Sequence, residues 1–210
     1  MDFSLGLALG RCRRSGVRRS LVGLCLVVNL GLLGFFKYAD FFRGSFETTL
    51  NWMGIPASWG PLGIILPIGI SFYTFQSVSY VIDVHRGVIP ATSNPVDFLA
   101  YVAFFPQLVA GPIERATRLL PQFQKPIQIG PEHLERGVWL ILWGLFEKLV
   151  LADHFAPLVD LGYNQTDPGA PLVMLGTIAF YGQIYCDFSA YSDIARGVAA
   201  LLGFDLMVTF

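Results

Sequence analysis

Ionisable and hydroxyl side chains occur together in an otherwise apolar part of this sequence, near its end. Ser189, Ser192, Asp193 and Arg196 are spaced by three or four residues, so a helix would place them on one face. Asp193 and Arg196 could form an ion pair, which lowers the free energy cost of burying either charge. Two interpretations stay open here: a salt bridge that keeps helices in register, and the polar wall of a reaction chamber.

A second polar group lies on a predicted helix earlier in the chain. Tyr73, Gln76, Ser77 and Tyr80 stand at offsets of zero, three, four and seven, and share one helical face. Such a face could line a polar passage through the protein. It could equally form hydrogen bonds between packed helices, which polar residues commonly do in membranes.

Residues 104–115 form a third group, in which two prolines and a glycine interrupt the predicted helix. These breaks free backbone carbonyls that need hydrogen-bond donors. The Gln107 side chain could satisfy them internally, or the broken segment could border a substrate cavity.

The three histidines give no pattern typical of catalysis. His85, His133 and His154 stand at the ends of apolar segments or in a polar stretch, so we expect surface or interface positions for them. The sequence contains no catalytic serine–histidine–aspartate spacing, no phosphate-binding glycine loop and no pair of metal ligands, so we predict no metal site. From the residues alone, the prediction is a polytopic membrane protein with a polar interior.

The composition places these groups in a membrane protein. The 210 residues are 54% hydrophobic and only 14% charged, against about 25% charged in an ordinary soluble domain. The mean hydropathy is +0.57. With a net charge of -1, the chain has no basic excess that would predict nucleic-acid binding.

The apolar runs predict an all-α fold, a single transmembrane helical domain over residues 1–210 with broken or re-entrant segments. Five arginines precede an uncharged run at 20–36, which indicates a retained span with a cytoplasmic N-terminus. We expect an interfacial or re-entrant segment near 52–59, a further span at 62–82 bent by Pro67, and a polar surface segment at 114–136. Another span is predicted at 168–186, giving five or six membrane segments, with both ends of the domain incomplete.

Six stretches resemble the membrane-bound O-acyltransferase family, in family order. They are residues 29–38, 66–76, 82–87, 104–113, 143–148 and 185–197. The branch they resemble is the bacterial one that includes the alginate O-acetylation membrane protein and the teichoic-acid D-alanyl transfer protein. The resemblance implies a bacterial inner-membrane enzyme that passes an acyl group, such as acetyl, to hydroxyls of an exported polysaccharide such as alginate.

The resemblance also implies partners and site residues. No bound cofactor is expected; acetyl-CoA or another acyl carrier would be a substrate, and membrane lipid, the polysaccharide and export or acetylation proteins would be partners. The family's catalytic histidine follows the segment 187–193 in a motif that none of the three histidines matches, so we expect it beyond Phe210 and expect the isolated chain to be inactive. The predicted chamber residues are Asp187, Ser189, Tyr191, Ser192 and Asp193, with Gln183, Gln107, Gln76 and Tyr73 as further wall candidates.

Three alternatives remain at this point. D-alanyl transfer to teichoic acid would use the same chemistry on another acceptor. A transporter-like helix bundle would also contain broken helices and intramembrane ion pairs, although no repeated pair of broken segments is visible. The third alternative is an inactive remnant.

Overall fold

A computed structural model describes residues 1–60, 62–67, 69–108, 111–112, 114–165 and 167–208. Within these ranges the regular structure is helical, without strands. The chain divides into two compact units, each described here by itself. Unit 1 comprises Met1–Ala103 and Arg115–Thr117; unit 2 comprises Phe104–Glu114 and Arg118–Phe210. The all-α prediction is confirmed, whereas the single domain over the whole chain stays a prediction.

Unit 1 contains four helices: α1 (Asp2–Arg11), α2 (Ser15–Trp52), α3 (Ile70–Arg86) and α4 (Pro95–Val102). α3 packs against both α1 and α2. The contact between α1 and α3 is close because Gly6 lies against the fully buried ring of Tyr80, where an added Cβ would stand 2.7 Å from a ring carbon. The Tyr80 hydroxyl in turn accepts a hydrogen bond from the Thr92 backbone N–H at 3.0 Å.

One arginine joins three helices of unit 1. Arg18, near the start of α2, donates from Nη1 to the carbonyl of Leu9 at 2.5 Å and to that of Cys12 at 3.2 Å, at the end of α1. Its Nη2 donates to the carbonyls of Val84 at 3.4 Å and His85 at 2.7 Å, at the end of α3. The last carbonyls of a helix lack partners within the helix and carry partial negative charge, so a guanidinium satisfies both ends at once.

The predicted span at 62–82 is wrong in its first part. α3 begins only at Ile70, and Gly69 precedes it with a φ of 74°, which a side chain would strain. Pro67 therefore lies ahead of the helix and does not bend it. Residues 53–60 and 62–67 instead fold back along α2: the Leu62 N–H donates to Asp40 at 2.9 Å, and the Phe46 and Trp59 rings stack with centroids 6.1 Å apart.

Unit 2 is arranged along one long helix, α9 (Gly169–Leu201). α7 (Pro131–Phe146) and α8 (Asp153–Tyr163) pack along it, separated by a π-helical turn at Glu147–Ala152. The short helix α5 (Phe105–Leu108) also belongs to unit 2, as does α6 (Ala116–Phe123) from Arg118 onward. The segment 114–136, predicted as a polar surface stretch, therefore contains α6 and the start of α7. The predicted span at 168–186 is likewise only part of one continuous helix.

Glycines allow these helices to approach one another. An added Cβ on Gly137 would stand 2.9 Å from the Gly197 carbonyl oxygen, and one on Gly144 would stand 2.7 Å from that of Ala190. Gly137 meets residue 197 of α9, whereas the later Gly144 meets the earlier residue 190, so α7 and α9 run antiparallel. Gly162 of α8 meets Gly176 of α9 in the same way, with 2.7 Å from its added Cβ to the Gly176 Cα. Small residues at such contacts are typical of helices packed in membranes.

Two described helices are long and apolar enough to cross a bilayer, α2 and α9. Only 17% and 11% of their most apolar windows is buried within the protein, whereas the core helix of a soluble protein would be mostly buried. The apolar side chains of these helices thus face outward, as lipid contact requires. α3 has 17 residues and α7 has 16, below the roughly 20 of a straight span, so the count of five or six membrane segments stays a prediction.

Candidate functional site

The π-helical turn between α7 and α8 carries a lysine that faces α9. Such turns widen the helix by one residue and often occur at functional sites. The Lys148 ammonium donates to Asp187 of α9 at 2.7 Å and lies 2.9 Å from the carboxylate of Asp153. The Lys148 and Asp187 side chains are only 28% and 25% exposed, so solvent screens this pair incompletely. Asp187, predicted from sequence, is thereby held by a residue 39 positions away.

A second polar group follows on the next turns of α9. The Asp193 carboxylate and the Arg196 guanidinium pair at 2.6 Å, as predicted from their spacing, and their side chains are 16% and 15% exposed. Ser189 and Ser192 are buried on the same face. The Ser192 hydroxyl and Arg196 Nε have no hydrogen-bond partner in the described structure. A buried polar atom left this way costs on the order of 1–3 kcal/mol, so this face is polar beyond what packing requires.

The broken segment at 104–115 packs on the same part of α9. An added Cβ on Gly111 would lie 3.1 Å from the Ala195 side chain and 2.6 Å from the Gln107 Cα. Gln107 is 2% exposed, yet neither its amide nitrogen nor its amide oxygen has a hydrogen-bond partner among the described residues. The interpretation that Gln107 satisfies the freed carbonyls internally is therefore wrong. Val109, Ala110 and Ile113 of this segment lie outside the described residues.

Two further predicted wall residues are on outer or half-buried parts of α9. Gln183 is half-buried, and Tyr191 is 42% exposed on the surface of unit 2. Tyr191 does not share the buried face of Ser189 and Ser192. Both residues stay predictions as parts of the chamber.

The predicted polar face of α3 lies in unit 1 and is largely part of its core. The Gln76 amide donates to the Tyr101 carbonyl at 3.2 Å, and the Tyr101 hydroxyl donates back to the Gln76 carbonyl at 3.3 Å. The Gln76 side-chain oxygen is buried with no hydrogen-bond partner in the ranges that the structure describes, and Tyr73 is half-buried. The Gln76–Tyr101 bonds and the Tyr80–Thr92 bond agree with the interpretation of this face as one that holds packed segments together.

The histidines have the environments expected from the sequence. His154 is exposed, and His133 Nδ1 accepts the Gly130 backbone N–H at 3.4 Å, which caps the start of α7. His85 is half-buried at the end of α3, where its backbone carbonyl accepts from Arg18. These contacts are structural, and we place no general base on any of the three.

Glu114 is a buried carboxyl that sequence reasoning did not single out. It is 1% exposed and accepts the Met207 backbone N–H, so it ties the segment before α6 to the chain after α9. Burial raises the pKa of Glu114 above its ordinary value, an effect that the Met207 N–H and the nearby Arg118 charge oppose.

Curated proteins similar to this chain share one type of chemistry. The chain is 40% identical over its whole length to the probable alginate O-acetylase AlgI of Azotobacter vinelandii, of which it covers 42%. It is 29% identical over its whole length to a peptidoglycan O-acetyltransferase of Helicobacter pylori, covering 44% of that protein. Over 74% of the chain it is 30% identical to a teichoic acid D-alanyltransferase of Streptococcus thermophilus, covering 39% of it.

The resemblance to the membrane-bound O-acyltransferases is therefore confirmed. The chain spans less than half the length of these relatives. No protein-family profile matches it. The two long apolar helices, with most of their apolar windows outside the core, indicate a membrane protein.

Within this acyltransferase-like chain, the structure adds two residues to the predicted set. Lys148 stands in one of the six resembling stretches, but only the fold brings it to Asp187. Glu114 gave a weak signal, an acid two residues after the Gly111–Pro112 break, and its partner Met207 is 93 residues away. A lysine or an acid beside an apolar run is the signal that could have indicated both.

Proposed function

We propose that this chain is part of a membrane-bound O-acyltransferase that transfers an acyl group, most simply acetyl, to hydroxyls of an exported polysaccharide such as alginate. The observation that carries the proposal is the 40% identity, over the whole chain, to a probable alginate O-acetylase. The polar interior of unit 2 supports it, because an acyl transfer needs a protected site where polar groups meet a hydroxyl acceptor.

The residues of this chain would shape that site and leave the proton transfer to another group. The buried face with Ser189, Ser192 and the Asp193–Arg196 pair supplies hydroxyl, carboxylate and guanidinium groups. Gln107 adds an amide whose donor and acceptor have no hydrogen-bond partner in the described part of the chain. A hydroxyl acceptor needs a general base to become a nucleophile. We expect that base in the family's histidine motif, which none of the three histidines here matches.

The proposal also covers the acyl donor, the polysaccharide acceptor and the position of the protein in the membrane. We expect acetyl-CoA or another acyl carrier as donor, and the polysaccharide with its export and acetylation proteins as partners. The protein would cross the bacterial inner membrane several times, with a cytoplasmic N-terminus. The arginines before the apolar part of α2 support that orientation.

A segment exchange tests the proposal. This chain replaces the matching 42% of the Azotobacter vinelandii relative, and the chimera is expressed in cells that make alginate but lack their own acetylase. Alginate-bound acetyl is then measured by NMR of the purified polymer. We expect acetylation to return; a membrane-inserted, folded chimera that leaves alginate unacetylated would refute the proposal.

Matched variants of the chimera test the site. Asp187→Asn should reduce acetylation strongly, because it removes the acceptor of Lys148 and one of the predicted chamber charges. Asp167→Asn is the control, since Asp167 is an exposed aspartate in the segment between α8 and α9. Equal effects of the two substitutions would argue against a chamber at Asp187.

D-alanyl transfer is the second candidate, favoured by the 30% identity to a teichoic acid D-alanyltransferase. A second chimera, in which this chain replaces the matching part of the D-alanyltransferase, distinguishes D-alanyl transfer from acetyl transfer. D-alanine ester on teichoic acid, with no acetylation by the alginate chimera, would move the proposal to this acceptor.

A further inference from the structure

Five arginines in the part of unit 1 that contains α1, α2 and α3 are exposed and have no carboxylate partner among the described residues. They stand on the turn between α1 and α2 and at the adjoining ends of α1, α2 and α3. These residues are Arg11, Arg13, Arg14, Arg19 and Arg86. Other cations do pair with an aspartate: Arg43 in unit 1, and Arg136, Lys148 and Arg196 in unit 2.

The hydrogen bonds of Arg18 bring these charges to one end of unit 1. Its guanidinium contacts the Cys12 carbonyl, in the middle of the arginine-rich turn, and the His85 carbonyl, next to Arg86. The Arg18 guanidinium donates to backbone carbonyls. Among the described residues, the guanidiniums of the five exposed arginines donate no hydrogen bond, so they are available to a ligand. We call these five residues the arginine surface.

Little negative charge lies nearby to neutralise them. In residues 11–19 and 83–88 the sole acidic residue is Asp83, which is half-buried. Asp2 belongs to the opposite end of α1, where its carboxylate accepts from Asn29 at 2.9 Å. The arginine surface is therefore strongly positive in a chain whose net charge is only -1.

The arginine surface borders the apolar part of α2. Leu21 follows Arg19 and Ser20 directly, and no charged residue occurs again before Lys37. Val17 and Leu24 are 45% and 49% exposed on the same stretch of helix, so apolar side chains adjoin the guanidiniums. Where an apolar span begins, its flanking arginines lie at the level of the lipid phosphates.

We propose that the arginine surface binds the phosphate groups of anionic phospholipids. Guanidinium forms two parallel hydrogen bonds to a phosphate, and arginine clusters beside a membrane span attract anionic headgroups. The neighbouring apolar residues favour a lipid over a soluble anion, because they meet its acyl chains. This binding is independent of acyl transfer and is tested on the chain itself.

The test compares lipid binding by two variants with the same change in charge. The site variant is Arg11→Gln, Arg13→Gln, Arg14→Gln; the control is Arg115→Gln, Arg118→Gln, Lys125→Gln, three exposed cations elsewhere. The detergent-purified chain is titrated with phosphatidylglycerol and with phosphatidylcholine, and bound lipid is counted by native mass spectrometry. Circular dichroism confirms that both variants keep the helix content of the unaltered chain.

We expect the unaltered chain and the control to prefer phosphatidylglycerol, and the site variant to bind it on the order of a hundredfold more weakly. The preference should also fall as salt is raised from 0.1 to 0.5 M, because ions screen exposed charges. Equal loss in both variants, or an unchanged preference in the site variant, would overturn the proposal. Complete displacement by millimolar inorganic phosphate would overturn it too, by assigning a site for free phosphate.

Discussion

The α1–α3 contact in unit 1 places a glycine against an aromatic ring, whereas the α7–α9 contact in unit 2 places glycines against backbone. In unit 1, Gly6 makes room for the Tyr80 side chain, and Arg18 bonds to the ends of two helices. In unit 2, Gly137 and Gly144 let two backbones meet, and the ion pairs of Lys148 and Arg196 lie on the same α9.

The two kinds of contact tolerate substitution differently. A contact between a glycine and a side chain can relax by moving the side chain, but a contact between two backbones relaxes only by separating the helices. Polar contacts differ as well: those of Arg18 are made to carbonyls and involve no second charge, whereas Lys148 forms ion pairs with two carboxylates. Four substitutions test this difference, and they are given in order of decreasing effect on stability.

Gly144→Ala should destabilise unit 2 by about 2–3 kcal/mol. The added Cβ would stand 2.7 Å from both the Ala190 carbonyl oxygen and an Ile194 side-chain carbon, so α7 and α9 must move apart. Thermal unfolding of the detergent-purified chain, followed by circular dichroism, measures the change.

Gly31→Ala is the matched control for Gly144→Ala. Gly31 lies in α2 with no atom within 4 Å of an added Cβ, so alanine there should be neutral or stabilise by up to about 1 kcal/mol through helix propensity. Similar destabilisation by both substitutions would contradict the backbone contact.

Arg18→Met should destabilise unit 1 by about 2 kcal/mol, because four hydrogen bonds from a charged donor to helix-end carbonyls are lost. The same unfolding measurement applies. Arg19→Met, at the adjacent exposed arginine, is the control and should change stability little. If the two variants unfold alike, the bonds of Arg18 do not hold the helix ends together.

Lys148→Met should cost about 1–2 kcal/mol, between the values for exposed and buried pairs, since Lys148 and Asp187 are partly exposed. Adding Asp187→Asn should restore part of that loss, because the unpaired carboxylate is then removed. Lys125→Met, at an exposed lysine, serves as control. No recovery in the double variant would show that Lys148 stabilises the π-helical turn without acting through Asp187.

Glu114→Gln should have the smallest effect and should be visible in the pH dependence. Because burial raises the pKa of Glu114 in the folded state, folding is favoured below the unfolded pKa of about 4.3 and loses that advantage as pH rises through the folded pKa. Glutamine still accepts the Met207 N–H. The variant should thus lose less stability than the unaltered chain between pH 4 and pH 7.

Glu135→Gln is the control for the pH experiment. Glu135 is exposed on α7, and its substitution should leave the pH dependence of the melting temperature as it is in the unaltered chain. Parallel curves for Glu114→Gln and the unaltered chain would contradict the burial effect.

Local sequence patterns predicted the features that depend on residues close together in the sequence. The uncharged run after five arginines lies within α2, and the three-residue spacing of Asp193 and Arg196 gave their ion pair. Both follow from helical geometry alone. Pro67 was placed wrongly because a proline inside an apolar run is compatible with a bent helix or with a helix that begins after it. The helix begins after Gly69, whose φ of 74° is not helical.

Contacts between distant residues could not be predicted in this way. Arg18 and His85 are 67 residues apart, Lys148 and Asp187 are 39 apart, and Glu114 and Met207 are 93 apart. Each depends on which helix faces which, and for Lys148 also on a π-helical turn that no residue pattern indicated. The burial of Gln107 could not be predicted either. Its amide has no hydrogen-bond partner among the described residues, and its burial depends on the packing of α5 against α9.

The length of α2 has a mechanical consequence. Its 38 residues form a rod about 57 Å long, against roughly 30 Å of bilayer hydrocarbon. Even at a tilt of about 40°, the upper end of the usual range, roughly 14 Å of the rod must project beyond the hydrocarbon. The charged second half, with Lys37, Asp40, Arg43 and Glu47, is the part suited to projecting. If this half projects, the non-helical residues 55–60 and 62–67 that lie along it are also held outside the hydrocarbon, where backbone groups without helical hydrogen bonds can meet water.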